Sequence, residues 1–223
     1  MNKLREFVKL DFFSVKPYFT VKTSLLYGVV VLFLTIMSAD MSAGVGIGVM
    51  LATMHTGYPF IVGEKSNMDA LYVTLAVGKK TVVLGRYLFT LLFNICFVLA
   101  ASLVSMLVVL AYTAFGQGSP AAVSGGVLLV MPLLFMAMQA IQLPLYFKLG
   151  YTKAKFVSMV PFFALMVGYF AFTGYLGGIA GVDEALANVF ADASTYFIVG
   201  VVFLAVVFVS YRLSLVFYRR REF

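Results

Sequence analysis

LGRYLFTLLFNICFVLAASLVSMLVVLAYTA, residues 84–114, decides the class of this fold. After Arg86 the stretch has no charged residue, and as a helix rising ~1.5 Å per residue it is about 46 Å long, more than a hydrocarbon core of about 30 Å. It must tilt or protrude. Outward from it, five more apolar runs fall at 23–39, 41–61, 127–147, 156–175 and 194–216. Each is close to the ~20 residues that a membrane crossing requires.

The chain has 223 residues, of which 63% are hydrophobic and 11% charged, against roughly 45–50% and 25% in soluble domains. That surplus of apolar surface excludes a soluble enzyme, a disordered chain and a secreted disulfide scaffold. Cys96, the only cysteine, has no partner for a disulfide. The predicted fold is an all-α membrane domain of six spans. The 16 lysines and arginines fix its orientation. With the N-terminus cytoplasmic, every one falls on an inner segment, while the outer segments carry Asp40, Asp183, Glu184 and Asp192. Both termini therefore face the cytoplasm, and the net charge of +7 reflects inner loops rather than nucleic-acid binding. The expected location is the cell membrane, and residues 1–223 form one domain: 1–17 an interfacial helix, 23–216 the spans, 217–223 a basic tail.

The non-spanning parts carry most of the functional information. In residues 1–16, Leu4, Phe7, Val8, Phe12 and Val15 share one side of a helix, with Arg5, Lys9 and Lys16 opposite and Pro17 closing it. Such a helix suits the inner interface, its lysines near anionic headgroups. Asp11 interrupts the apolar side, and an unstructured basic tail is the alternative. Between the second and third spans lies GEKSNMDALYVTLAVGKKTVVLGRYL, 63–88. Ser66 or Asn67 can cap a short helix, Asp69 suits its first turn, and Gly78 can end it. Met68, Leu71, Tyr72 and Leu75 recur at i, i+3, i+4 and i+7. That stripe needs either the headgroup boundary or another protein's groove. QLPLYFKLGYTKAKF, 142–156, with Gly150 and Lys153, is a second inner excursion. A short outer helix is expected in 176–193, where Asp183 can cap it, with Leu186 and Phe190 roofing the outer end as a gate.

These stretches, with the closing SYRLSLVFYRRREF (210–223), resemble the small six-span permease subunits of type V ABC exporters, in particular those of the phenol-soluble modulin exporter kind. The resemblance implies a coupling helix at 67–75 preceded by Glu64 and Lys65, and an ATPase-contacting set of Glu64, Asn67, Met68, Asp69, Leu71, Tyr72, Leu75, Gly150 and Lys153. It also implies a separate ABC ATPase that holds ATP and Mg, and a second permease copy or homologue. This chain itself would bind no cofactor. The substrate would be hydrophobic or amphipathic, such as a peptide toxin, an antimicrobial peptide or a drug.

Catalysis has no foothold in the sequence. The nearest approach to a phosphate-binding loop has Val73 in place of its first glycine and Lys80 in place of its hydroxyl. Ser124 lacks the glycine two positions ahead that an intramembrane serine nucleophile requires, and His55 is the only histidine. Polar residues inside spans are functional suspects by cost. His55, Asn94, Gln139 and Gln142 either line a pathway or hydrogen-bond between helices. The spacing of Gly44, Gly46 and Gly48 suits close helix packing, within one subunit or between two. The competing class of function is a non-transporting scaffold or immunity protein that binds a cytoplasmic partner through the same inner helix.

Overall fold

The computed structural model of the chain describes residues 3–38, 41–115, 125–160, 163–164, 167 and 193–221, all helices and short connections, with no strand among them. The helices are α1 Lys3–Val15, α2 Val21–Ser38, α3 Met41–His55, α4 Tyr58–Lys65, α5 Met68–Thr74, α6 Lys79–Ala114, α7 Gly125–Leu149, α8 Tyr151–Val157 and α9 Ala193–Arg219. Among the described residues four helical stretches are long and apolar enough to cross a membrane: Val21–Ser38, Ala43–Lys65, Lys79–Ala114 and Ser194–Arg219. They coincide with the first, second, third and sixth apolar runs. The fourth run lies within α7, which keeps Pro132 and Pro144 inside its 25 residues. Most of the fifth run, and the outer segment with Leu186 and Phe190, lie outside the described residues.

Three boundaries differ from the sequence reading. The second span is broken, because Pro59 in the first turn of α4 has no N–H to continue the ladder of α3. At the break, Gly57 lies against the ring of Tyr151, where a Cβ would collide with it. Gly78 starts α6 instead of ending the preceding helix; its extended conformation (φ −62°, ψ 136°) precedes the first turn. The short helix ends at Thr74, and the chain reverses through Ala76 at φ 49°. α6 thus takes in Lys79 and Lys80 and runs 36 residues, ~54 Å at about 1.5 Å each.

α6 is the spine of the molecule. α3 crosses it where Gly48 meets Ala101 and Gly44 meets Ser105 and Thr35, so these glycines serve packing within the chain. α7 and α9 pack on each other and on α6, where Tyr87 shares hydrogen bonds with Ser210 and with Ser214, the latter at 2.8 Å. α1 climbs lengthwise along the first half of α6. Phe7 lies over Gly85, Phe12 contacts Phe89, and Phe19, just beyond α1, reaches Phe93 and Phe97.

Candidate functional site: the basic end of the bundle

At one end of the bundle α4, α5, the start of α6, the end of α7, α8 and the end of α9 converge around a small cleft. Its walls include Phe60, Glu64, Asp69, Arg86, Tyr146, Gly150, Tyr218 and Arg221. The sequence gives each element a reason to stop here. Gly150 adopts φ 75°, which a residue with a Cβ would resist, and so turns α7 sharply into α8. Its Cα faces the Glu64 carboxylate and the Arg221 guanidinium.

Glu64 accepts a hydrogen bond from the Thr152 N–H at 3.0 Å, tying α4 to the first turn of α8. Asp69, in the first turn of α5, accepts one from the Tyr218 hydroxyl at 3.0 Å and pairs with Arg221 at 3.6 Å. Lys79 donates to the carbonyls of Arg219 and Arg221, each at 3.2 Å. The last turn of α9 is therefore clamped between α5 and α6. Residues from the two inner stretches, Glu64 and Asp69 from one and Gly150 from the other, thus share one cleft. Lys153 is exposed on α8, and Asn67 takes a left-handed conformation (φ 49°) at the turn into α5.

The stripe on α5 divides. Tyr72 is 3% exposed and packs edge-on against Phe7 at 5.1 Å, with Met68 half-buried beside the same cluster. Tyr72 is therefore an internal anchor and is not free to enter another protein's groove, as the sequence suggested. Leu71 and Leu75 remain 42% and 58% exposed. Geometry explains the division, since α5 has only seven residues and the chain turns immediately afterwards, so the four positions cannot keep one common face.

Beneath Tyr72 lies a second feature that periodicity misread. Asp11 is not a flaw in an interfacial stripe: it is 1% exposed and pairs with Arg86 of α6 at 3.2 Å. Arg86 also donates to the Tyr72 hydroxyl at 3.4 Å and lies over the Phe60 ring at 5.0 Å. Burial pushes the Asp11 carboxyl up to about 6 against the opposing pull of Arg86. Burial likewise pushes the Tyr72 phenol up to about 12, so it stays protonated. A single guanidinium thus links α1, α4, α5 and α6. The sequence signal for it was an acid inside one apolar face and one arginine inside the longest apolar run.

The polar suspects in the spans are buried and hydrogen-bonded. Gln139 of α7 donates to Thr53 of α3 at 3.1 Å and to Asn94 of α6 at 3.0 Å, and accepts from Asn94 at 2.6 Å. His55 bonds the Tyr27 hydroxyl at 2.7 Å, joining α3 to α2. Gln142 donates to the Ser158 carbonyl at 2.9 Å, while its Oε1 has no hydrogen-bond partner among the described residues. These bonds join helices across the bundle.

The described residues thus form a helical chain, four of whose stretches are long and apolar enough to cross a membrane, with a polar junction at one end. A family model described as ABC-2 family transporter protein matches residues 6–219. The chain belongs to that family and is thus a membrane component of an ABC transporter, associated with an ABC ATPase and not itself the catalytic part. Searches of curated proteins and of solved structures give no match.

Proposed function

We propose that the chain is one permease subunit of an ABC exporter, with six spans and both termini in the cytoplasm, paired with a second copy or a homologue. Two permeases would rest on two ATPase subunits, which bind ATP and Mg, and would carry a hydrophobic or amphipathic substrate such as a peptide toxin, an antimicrobial peptide or a drug across the cell membrane.

One observation carries this reading. The 63–78 segment, the Gly150 turn and the end of α9, which the sorting of basic residues assigns to one side, meet around one cleft, and α1, assigned to the same side, is tied to its wall through the Asp11 and Arg86 pair. In this scheme α5 is the coupling helix. Tyr72, Met68 and Asp69 hold it to α1, α6 and α9, and Leu71 and Leu75 are its contact with the ATPase. A push on α5 would reach α6 through Arg86, α4 and α8 through Glu64, and α9 through Asp69. The bond of His55 with Tyr27 and those joining Asn94, Gln139 and Thr53 are then the places where spans part as the path opens, and the Oε1 of Gln142, without a hydrogen-bond partner among the described residues, offers a polar group to the path. Leu186 and Phe190 would close its outer end.

The test is reconstitution of the chain with its ABC ATPase in vesicles, with ATP hydrolysis and efflux of a fluorescent amphipathic peptide measured together. ATP-dependent efflux that stops when Glu64→Gln and Asp69→Asn are combined, with insertion intact, is the expected result. Hydrolysis and efflux indifferent to the presence of the chain would refute the assignment.

A further inference from the structure

The outer flank of α1 has a composition that the coupling scheme does not use. Lys9, Phe12, Phe13 and Lys16 fall at i, i+3, i+4 and i+7, one stripe two turns long, and together with Val15, Phe19 and Phe93 they line an open apolar groove. Phe13 is 68% exposed, unusual for a phenylalanine flanked by lysines unless something apolar covers it. The floor is firm: Phe12 packs on Phe89 at 4.9 Å, and Phe19 on Phe93 at 5.3 Å. The height is informative too, because α2, the first stretch apolar enough to cross a membrane, begins at Val21, five residues beyond Lys16. The groove therefore lies where headgroups meet acyl chains. Among the described residues Lys9 pairs with Glu6 alone, an exposed pair at 3.3 Å.

We propose that this groove is a discrete site for one anionic phospholipid of the inner leaflet, with an acyl chain laid along Phe12, Phe13 and Phe93 and the phosphate held between Lys9 and Lys16. Charge complementarity selects the occupant. A zwitterionic lipid would present the same chains to the floor but no net charge to the two lysines, and a free phosphate would leave the phenylalanines uncovered. Each lysine near an anionic surface contributes roughly fivefold in binding. The site rests on the proposed inner-face placement of α1 and is independent of the ATPase. Its occupant would brace the helix that also carries Asp11 and Phe7, and so would steady α5 from behind.

Native mass spectrometry of the full-length chain alone, in detergent with equimolar phosphatidylglycerol and phosphatidylcholine of identical acyl chains, tests the site without invoking transport. The wild type should retain one phosphatidylglycerol at least fivefold over phosphatidylcholine, and soluble glycerol phosphate should not displace it. Lys9→Gln with Lys16→Gln should erase the preference, and Phe13→Ser, which leaves the charge unchanged, should lower retention of the lipid. Lys3→Gln with Lys80→Gln, which removes as much charge elsewhere, should leave it intact. Equal loss in that control pair, equal retention of the two lipids, indifference to Phe13→Ser or displacement by glycerol phosphate would overturn the proposal.

Discussion

At the scale of single residues, the Asp11 and Arg86 pair decides most. Removing one partner of a buried pair leaves an uncompensated charge, which typically costs about 3–5 kcal/mol, whereas replacing both by apolar groups is often neutral. Asp11→Asn should therefore lower the unfolding temperature of the purified protein, and Asp11→Leu with Arg86→Met should recover much of the loss. The pH dependence follows from the direction of the shift. The folded carboxyl titrates near 6 and the ordinary value is 3.8, so the folded state holds the proton more tightly. This contribution to stability is fully present below about pH 4, is lost as pH rises towards 6, and is flat above. Around the carboxyl stand the Arg86 guanidinium, at 3.2 Å, and the Tyr72 phenol, which titrates far higher. Thermal unfolding between pH 4 and 7.5 should show this component in the wild type and lack it in Asp11→Asn; identical pH profiles would contradict it.

Among elements, the crossings of α3, α6 and α7 make two predictions. Gly48→Leu should disrupt the α3–α6 contact, because even a Cβ there collides with Ala101, while Gly46→Leu faces open space and should be tolerated. Comparing their recovery as monodisperse protein checks the pair. Gln139→Leu should cost on the order of 1–2 kcal/mol, since it removes the bonds to Thr53 and Asn94 together and leaves each only its bond to its own helix, to Val49 and Thr90. The elements differ in how plainly the sequence announced them. The runs that became α2, α6 and α9 were visible because hydropathy over ~20 residues is a local property. The break at Pro59 and the early start of α6 just after Gly78 were less visible, since one proline or glycine can end, start or kink a helix. Least visible were the bonds. Asn94 and Gln139 are 45 positions apart, Glu64 and Thr152 are 88, and no periodicity within a helix reports a partner at such a distance. The sequence therefore marked Asp69 as a first-turn acid and Gly150 as part of a second inner contact separately, with Glu64 joined to them by family resemblance, and it left Tyr72 facing either headgroups or another protein because a stripe specifies a face but not what covers it.

For the whole molecule, the account is a bundle whose basic end gathers every inner segment and presents α5 outward. The orientation can be checked in a Cys96→Ser background. Cysteines at Gln117 and Gly178 should react with an impermeant thiol reagent on intact cells, and one at Ser66 should react only after the cells are opened. The central claim is that α5 meets the ATPase through Leu71 and Leu75, and anchors in such contacts often cost at least about 2 kcal/mol when truncated. The most direct measurement is recovery of the ABC ATPase with affinity-purified chain from membranes that contain both. Leu71→Ala with Leu75→Ala should reduce that recovery by tenfold or more while the permease is inserted at its normal level, and undiminished ATPase recovery from the double variant would contradict the account.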